Sequence, residues 1–263
     1  MNDFSEIQHG LSCLQMAWNT ESGESLRTWI DDLWPQMSKE LERLFDGHAF
    51  NIQNRTFITS LSEHDDDEDI FGRLSMWRAY GGRSGVAVVL NPTIFSSETD
   101  KMAVSSAPVL YQTPDEFTKW FTQWVRNLEE NTEILRSLNF EDAKGWMFHC
   151  FRMFCLCIKH PGFREEKEWR VFHTPEIDGL SKWVNSKIEV IGGLPQEIVE
   201  LSLEDDVKLE VVGVAPNSLI ERVIIGPCES PMTLHFALLS ALKDAGVSEP
   251  EKRISASLIP LRS

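Results

Sequence analysis

Glu166-Lys-Glu-Trp-Arg-Val-Phe172 is the stretch whose reading decides the fold of this chain. As a strand it sends Glu166, Glu168 and Arg170 to one face and Lys167, Trp169 and Val171 to the other. The two carboxylates would then stand roughly 7 Å apart beside one guanidinium. Such a trio admits two readings. It could stabilise a cationic transition state and orient a hydroxyl, as paired acids do at glycosidic bonds, or it could be the Arg/Glu ladder of a solvated edge strand.

Outward from this stretch, further strands are expected at Lys187 to Ile191, Val207 to Val214 and Arg222 to Gly226. A last helix is expected from Thr233 to Ala245, with Gly246 as its cap. On the other side, Phe117, Trp120, Phe121, Trp124, Val125 and Leu128 recur on one helical face. A long apolar segment follows from Asn139 to Ile158, so 114–158 reads as an inserted helical hairpin. Further upstream, Arg55 to Leu61 is strand-like and Leu74 to Tyr80 is a short helix. Gly81, Gly82 and Gly85 form a turn, Val86 to Leu90 is a buried strand, and another strand ends at Val109 to Tyr111. At the amino terminus, residues 3–18 are amphipathic, and a second helix from Glu24 to Leu44 is kinked or split by Pro35. Helices, strands, a helical insertion, strands and one last helix make an α+β chain with a mixed or antiparallel sheet. The expected organisation is one domain over 1–263: amino-terminal helices in 1–50 and a sheet core in 51–263.

Composition narrows the options. The chain has 263 residues, of which 42% are hydrophobic, with nine Trp and fifteen Phe, enough to fill a sizeable core. A formal charge of −16 argues against gripping nucleic acid over a broad basic face and suits a basic antitoxin, chaperone or inhibitor protein as partner. Five cysteines without a Cys-x-x-Cys pair support neither a disulfide framework nor a structural zinc site. No stretch approaches the roughly 20 apolar residues of a membrane span, and the amino terminus has no basic region followed by an apolar run. The expectation is a cytoplasmic protein without a membrane partner.

Phe57-Ile-Thr-Ser-Leu-Ser-Glu63 is a second chemistry-bearing segment. Ser60 and Ser62 share a strand face and could hold a carboxylate or a ribose by hydrogen bonds, or simply form a turn. Neither sits in a Gly-x-Ser-x-Gly elbow. Trp77 and Tyr80 are spaced as core aromatics, or as one wall that stacks a flat heterocycle. The Gly81-Gly-Arg-Ser-Gly85 turn precedes a strand, which fits neither phosphate-binding glycine pattern. The acidic run Asp65 to Asp69 beside His64 reads as a solvated loop. His149 reads as a buried core histidine, while His160 could donate to a substrate or cap the preceding helix.

Three motifs together resemble the bacterial domain-of-unknown-function family 2971. They are Phe-Ile-Thr-Ser-Leu-Ser-Glu with its Asp-rich loop, Ser75-Met-Trp-Arg-Ala-Tyr-Gly81 with the following Gly-Val-Ala-Val, and Lys159-His-Pro-Gly-Phe-x-x-Glu-x-Glu-Trp-Arg170. Val223-Ile-Ile-Gly-Pro227 resembles the family's closing strand, so the likeness spans roughly 55–228, whereas the amino-terminal helices depart from the family's usual opening. The serine pair and Glu-x-Glu are also similar to the arrangement in ADP-ribosyltransferases, including toxins of phage defence. That likeness implies NAD as substrate and ADP-ribose transfer to a protein or nucleic acid, with Glu168 as catalytic acid and Glu166 orienting the acceptor. It further implies Ser60 and Ser62 supporting the carboxylate, Trp77 or Tyr80 stacking nicotinamide, and Arg55 or Arg170 holding pyrophosphate. Two competing expectations are a non-catalytic ligand- or partner-binding module and a magnesium nuclease using Glu166, Glu168 and the acidic loop.

Overall fold

The computed structural model describes residues 4–65, 68, 70–93 and 100–260. The first half of the chain runs through α1 (Phe4–Trp18), α2 (Glu21–Leu33), α3 (Met37–Asn54), β1 (Phe57–Ser62), α4 (Leu74–Tyr80), β2 (Val86–Leu90), β3 (Ser105–Pro108) and β4 (Leu110–Tyr111). It continues through α5 (Pro114–Glu130), α6 (Thr132–Leu135), α7 (Phe140–Cys157), β5 (Ile158–Lys159), β6 (Glu168–His173) and α8 (Pro175–Asp178). The last elements are β7 (Val184–Ile191), β8 (Leu194–Leu201), α9 (Pro216–Leu219), β9 (Ile220–Ile225), α10 (Pro231–Asp244) and β10 (Ile254–Ala256). The α+β class holds, with small antiparallel and mixed sheets. Two compact units divide the chain, each built from two segments: Met1–Ser62 with Val104–Gly179, and Glu63–Ala103 with Leu180–Ser263.

In the first unit, α1 packs against both α5 and α7, α2 against α5, and α3 against α7. A capping box between Thr113 and Glu116 starts α5 and Pro114 occupies its first turn, after which Phe117, Phe121, Val125 and Leu128 fall on the buried face. The Phe154 ring from α7 makes T-shaped contacts with Phe117, Trp120 and Trp124, which makes α5 and α7 the expected helical pair. The amino-terminal helices lie within this core: Ile7, Cys13, Ala17, Leu26, Ile30, Leu41 and Ile52 share one buried cluster with Phe117, Phe121 and Phe151. Pro35 splits α2 from α3, the kink or break that its missing N–H dictates. His149 lies on the exposed face of α7, correcting its expected burial, because the helix turns Met147, Phe148, Phe151 and Arg152 inward instead.

The sheet of this unit has the order β1-β6-β3 and is antiparallel throughout. β6 is therefore central, and its buried face carries Glu168, Arg170 and Phe172 while Trp169 and Val171 are half-buried. The alternation expected for this stretch is present, but the solvated edge strand is not.

The second unit contains a mixed sheet of order β10-β9-β2, parallel between β10 and β9 and antiparallel between β9 and β2. A small buried cluster of Val223, Leu242 and Val247 ties α10 to this sheet. Gly246 at φ +75° closes α10, and the Val247 N–H bonds the Leu242 carbonyl at 2.9 Å. β2 is less buried than its apolar run suggested, since Val86 and Val88 are exposed. The strand expected over Val207 to Val214 is instead a 3-10 turn at Val207–Leu209. The Asp206 carboxylate accepts the N–H groups of Lys208 and Leu209 and so diverts the backbone from a ladder. β8 and β10 went unanticipated. β7 and β8 pair over eight residues each, joined by Gly192 and Gly193 at φ +60° and +84°, the left-handed pair a tight hairpin requires.

Gly10 marks how tightly α1 is seated. A Cβ there would stand 2.2 Å from the Cys155 carbonyl oxygen, a backbone atom of α7. Gly10→Ala is expected to destabilise the protein by about 1–3 kcal/mol through overpacking, read as a lower urea midpoint with unchanged slope.

Candidate functional site

The β1–β6 register places Ser60 opposite Arg170 and Ser62 opposite Glu168, so the serine pair and the acid–base pair share one face as adjacent cross-strand pairs. Ser60 Oγ reaches diagonally and donates to Glu168 Oε1. Ser62 Oγ donates to the Glu166 carbonyl oxygen at 2.5 Å. On the same face, Arg170 Nε donates to Glu168 Oε1 at 2.8 Å and Nη2 to Oε2 at 3.3 Å.

Two residues that sequence reasoning left without a role complete the cluster. α7 passes directly into β5, which pairs with β4 and turns Lys159 inward, where it is only 5% exposed. Lys159 Nζ sits 2.7 Å from Glu166 Oε2, 2.7 Å from Glu6 Oε1 and 3.0 Å from Glu168 Oε2, which accounts for all three donors of an ammonium group. Glu6, from the first turn of α1, also receives Arg170 Nη2, while Arg170 Nη1 donates to the Leu156 carbonyl at 2.5 Å. The Tyr111 hydroxyl accepts the Glu168 backbone N–H at 2.7 Å. A lysine set just beyond a long apolar helix and before His-Pro-Gly was the available signal for Lys159. Glu6 carried none, since it lies more than 150 residues from its partners.

Glu166 and Glu168 thus converge, but not as expected. The strand begins only at Glu168; Glu166 ends a 3-10 turn over Pro161–Glu166, and Lys167 at φ 45° separates the two. Lys159 draws their carboxylates together, standing between them where a metal ion would have to sit. Among the described residues no group of three His, Cys, Asp or Glu side chains is disposed to hold a metal ion. Asp66, Asp67 and Asp69 of the acidic run lie outside the described residues.

Four hydrogen bonds engage the Glu168 carboxylate, from Ser60, Lys159 and two nitrogens of Arg170, matching the roughly four acceptor positions a carboxylate offers. Burial pushes the pKa of Glu168 up, yet the bonds from Arg170, Ser60 and Lys159 hold it below the ordinary carboxylate value. Burial likewise pulls Lys159 down, and its bonds to Glu166, Glu6 and Glu168 more than offset this, leaving it above the ordinary lysine value. The Tyr111 phenol is raised by burial, reinforced by the Glu168 and Glu166 carboxylates.

The other candidates have their own settings. His160 Nδ1 accepts the Gly162 N–H at 3.1 Å, so it caps the following turn and not the preceding helix. Arg55 pairs with Glu176 at 3.2 Å on the surface of the first unit. Trp77 and Tyr80 belong to the second unit. There the Trp77 Nε1–H donates to the Phe71 carbonyl at 2.9 Å, and its indole lies so close to Gly72 and Gly226 that a Cβ at either would stand 2.7 or 2.8 Å away. Tyr80 is exposed.

An α+β protein with a buried carboxylate–cation cluster on its central strand is the class that fold and site define. Residues 76–171 match the model of a family described as protein of unknown function (DUF2971), which shows the expected resemblance over that segment. The matched segment is narrower than the expected 55–228; it takes in Lys159, Glu166, Glu168 and Arg170 but neither the serine pair nor the strand leading to Pro227. No curated protein and no solved structure matches the chain. Among the described residues no helix is long and apolar enough to cross a membrane.

Lys159→Met is expected to cost about 3–5 kcal/mol in chemical denaturation, because it leaves three carboxylates without their shared cation. The pH profile should show two limbs. Glu168, with its pKa depressed by folding, contributes stability that is present above the ordinary value of about 4.3 and lost as pH falls through its lower folded value. Lys159, with its pKa raised, contributes stability that is present below about 10.4 and lost as pH rises through its higher folded value. Glu168→Gln should flatten the acid limb and Lys159→Met the alkaline limb, as measured by urea midpoints across pH.

Proposed function

We propose that the chain is a non-catalytic partner-binding module in which Glu6, Lys159, Glu166, Glu168 and Arg170 form a structural ion network. The observation that carries this reading is the saturation of Glu168: its carboxylate is engaged by Ser60, Lys159 and Arg170 and is 5% exposed. A carboxylate that must receive a ribose hydroxyl and face a developing cation needs an acceptor position turned toward the ligand, and these four bonds use that capacity up. Exposed apolar side chains of the second unit, Ile188, Val190, Leu194 and Phe236 among them, support a contact role. The nuclease reading loses its footing because a lysine ammonium lies between the two acids it would need.

One observation favours a second reading, an NAD-dependent ADP-ribosyltransferase-like effector or toxin. Ser60, itself exposed, donates to Glu168 across the strands, as the resemblance implied for a serine supporting the catalytic acid. In that reading Glu168 would stabilise the oxocarbenium-like ribose as nicotinamide leaves, Glu166 would orient the acceptor, and Arg170 would hold pyrophosphate once Glu6 released it.

Incubating wild type and Glu168→Gln with labelled NAD and bacterial lysate, with denaturation curves on the same preparations, separates the two. The network reading expects no transferred label and no nicotinamide release from either protein, with Glu168→Gln less stable by about 3 kcal/mol. Label transferred by wild type and lost in a folded, equally stable Glu168→Gln protein would overturn it in favour of the transferase.

A further inference from the structure

The β7–β8 hairpin has two unlike faces. Its register pairs Val184 with Leu201, Ser186 with Val199, Ile188 with Glu197 and Val190 with Pro195 on one face. Asn185 with Glu200, Lys187 with Ile198 and Glu189 with Gln196 lie on the other. The first face is chiefly apolar, yet Ile188 and Val190 are each 68% exposed; at the tip of the other face, the Ile191–Leu194 pair is 52% and 67% exposed. Lone exposed aliphatic residues need no explanation, but a row of them along a hairpin does.

The hairpin is also a sheet of two strands: among the described residues no further strand pairs with either outer edge. The edges differ. β8 contains Pro195, which removes one N–H, whereas β7 runs from Val184 to Ile191 without proline or glycine. β7 thus offers the longer uninterrupted row of main-chain donors and acceptors.

Charge selects the occupant. The hairpin carries three glutamates and a single lysine: Glu189 and Glu200 share the face of Lys187, which bonds them at 2.9 Å and 2.6 Å, and Glu197 stands opposite Ile188 on the apolar face. With −16 on the chain as a whole, a second copy meets like charge, and an acidic segment does too.

We propose that the outer edge of β7 takes up one extended segment of a partner protein, basic and alternately apolar, as an added strand. Its main chain would continue the ladder, its apolar side chains would lie beside Ile188 and Val190, and its lysines or arginines would face Glu189. This rests on the partner-binding reading and names the chemistry of that partner.

The test uses the full chain and a strand-length synthetic peptide alternating valine and lysine, with a valine–glutamate peptide as control. Saturable binding of the basic peptide is expected, with slowed amide exchange along Val184–Ile191 and affinity that falls as salt is raised. Ile188→Lys, on an exposed position, should weaken binding about fivefold, the effect of losing roughly one apolar cross-strand pair. Equal binding of the acidic peptide, no exchange protection on β7, or concentration-dependent self-association through this edge would each overturn the proposal. A nicotinamide-release assay on the same sample separates the levels of failure. Lack of peptide binding without NAD cleavage removes only the β7 edge, whereas NAD cleavage removes the partner-binding reading beneath it.

Discussion

The ion network of Lys159 with Glu6, Glu166 and Glu168, braced by Arg170, is the constraint on which the first unit depends. Three ionisable side chains, Lys159, Glu168 and Arg170, are buried and two more, Glu6 and Glu166, are half-buried in a place where apolar packing would be the cheaper solution. What makes the arrangement tolerable is completeness. The lysine spends its three donors on three carboxylates, the arginine spends its guanidinium on Glu168, Glu6 and the Leu156 carbonyl, and Ser60 supplies a further donor. The partners come from several elements, Glu6 from α1, Ser60 from β1, Lys159 from β5 and Glu168 and Arg170 from β6, so the cluster specifies how these meet. Removing one member leaves its opposite number charged and buried, which is why the cost of a single substitution exceeds the net contribution of the intact network.

That constraint separates what Glu168 looks like from what it can do. Two acids flanking one position, a serine donor and an adjacent arginine are components that transferases and glycosidases use. Here the position between the acids is occupied by Lys159, and the arginine is occupied by Glu6. The same inventory of residues can therefore serve as a reaction centre or as a fastening, and the filled acceptor positions favour the fastening. The second unit contrasts with this: its buried cluster is small, and it leaves apolar side chains on β2, the β7–β8 hairpin and α10 in contact with water.

Local signals carried much of the architecture. The alternation of Glu168, Arg170 and Phe172 against Trp169 and Val171, the aromatic face of α5 and the break at Pro35 were legible because each depends on residues within a few positions. The shared face of the serine pair was legible too, but its meeting with Glu168 depends on the β1–β6 register, which no local pattern specifies. Burial of β6 could not be read from its charges, since sequence patterning assigns charged residues to water unless partners are known. Those partners, Glu6 and Lys159, arrive through the packing of α1 and through the helix-to-strand transition after Cys157. The expected strand at Val207 failed for a local reason, the Asp206 side chain competing for backbone N–H groups.

The most direct measurement is a double-mutant cycle between Glu6 and Arg170, using Glu6→Gln, Arg170→Lys and the double variant in chemical denaturation. A network acting as one unit predicts a coupling energy of about 1–3 kcal/mol, with the double variant far less destabilised than the two single losses summed. Additive losses, with coupling near zero, would contradict it: Glu6 would then be an incidental surface acid, and Arg170 would be left available for a ligand.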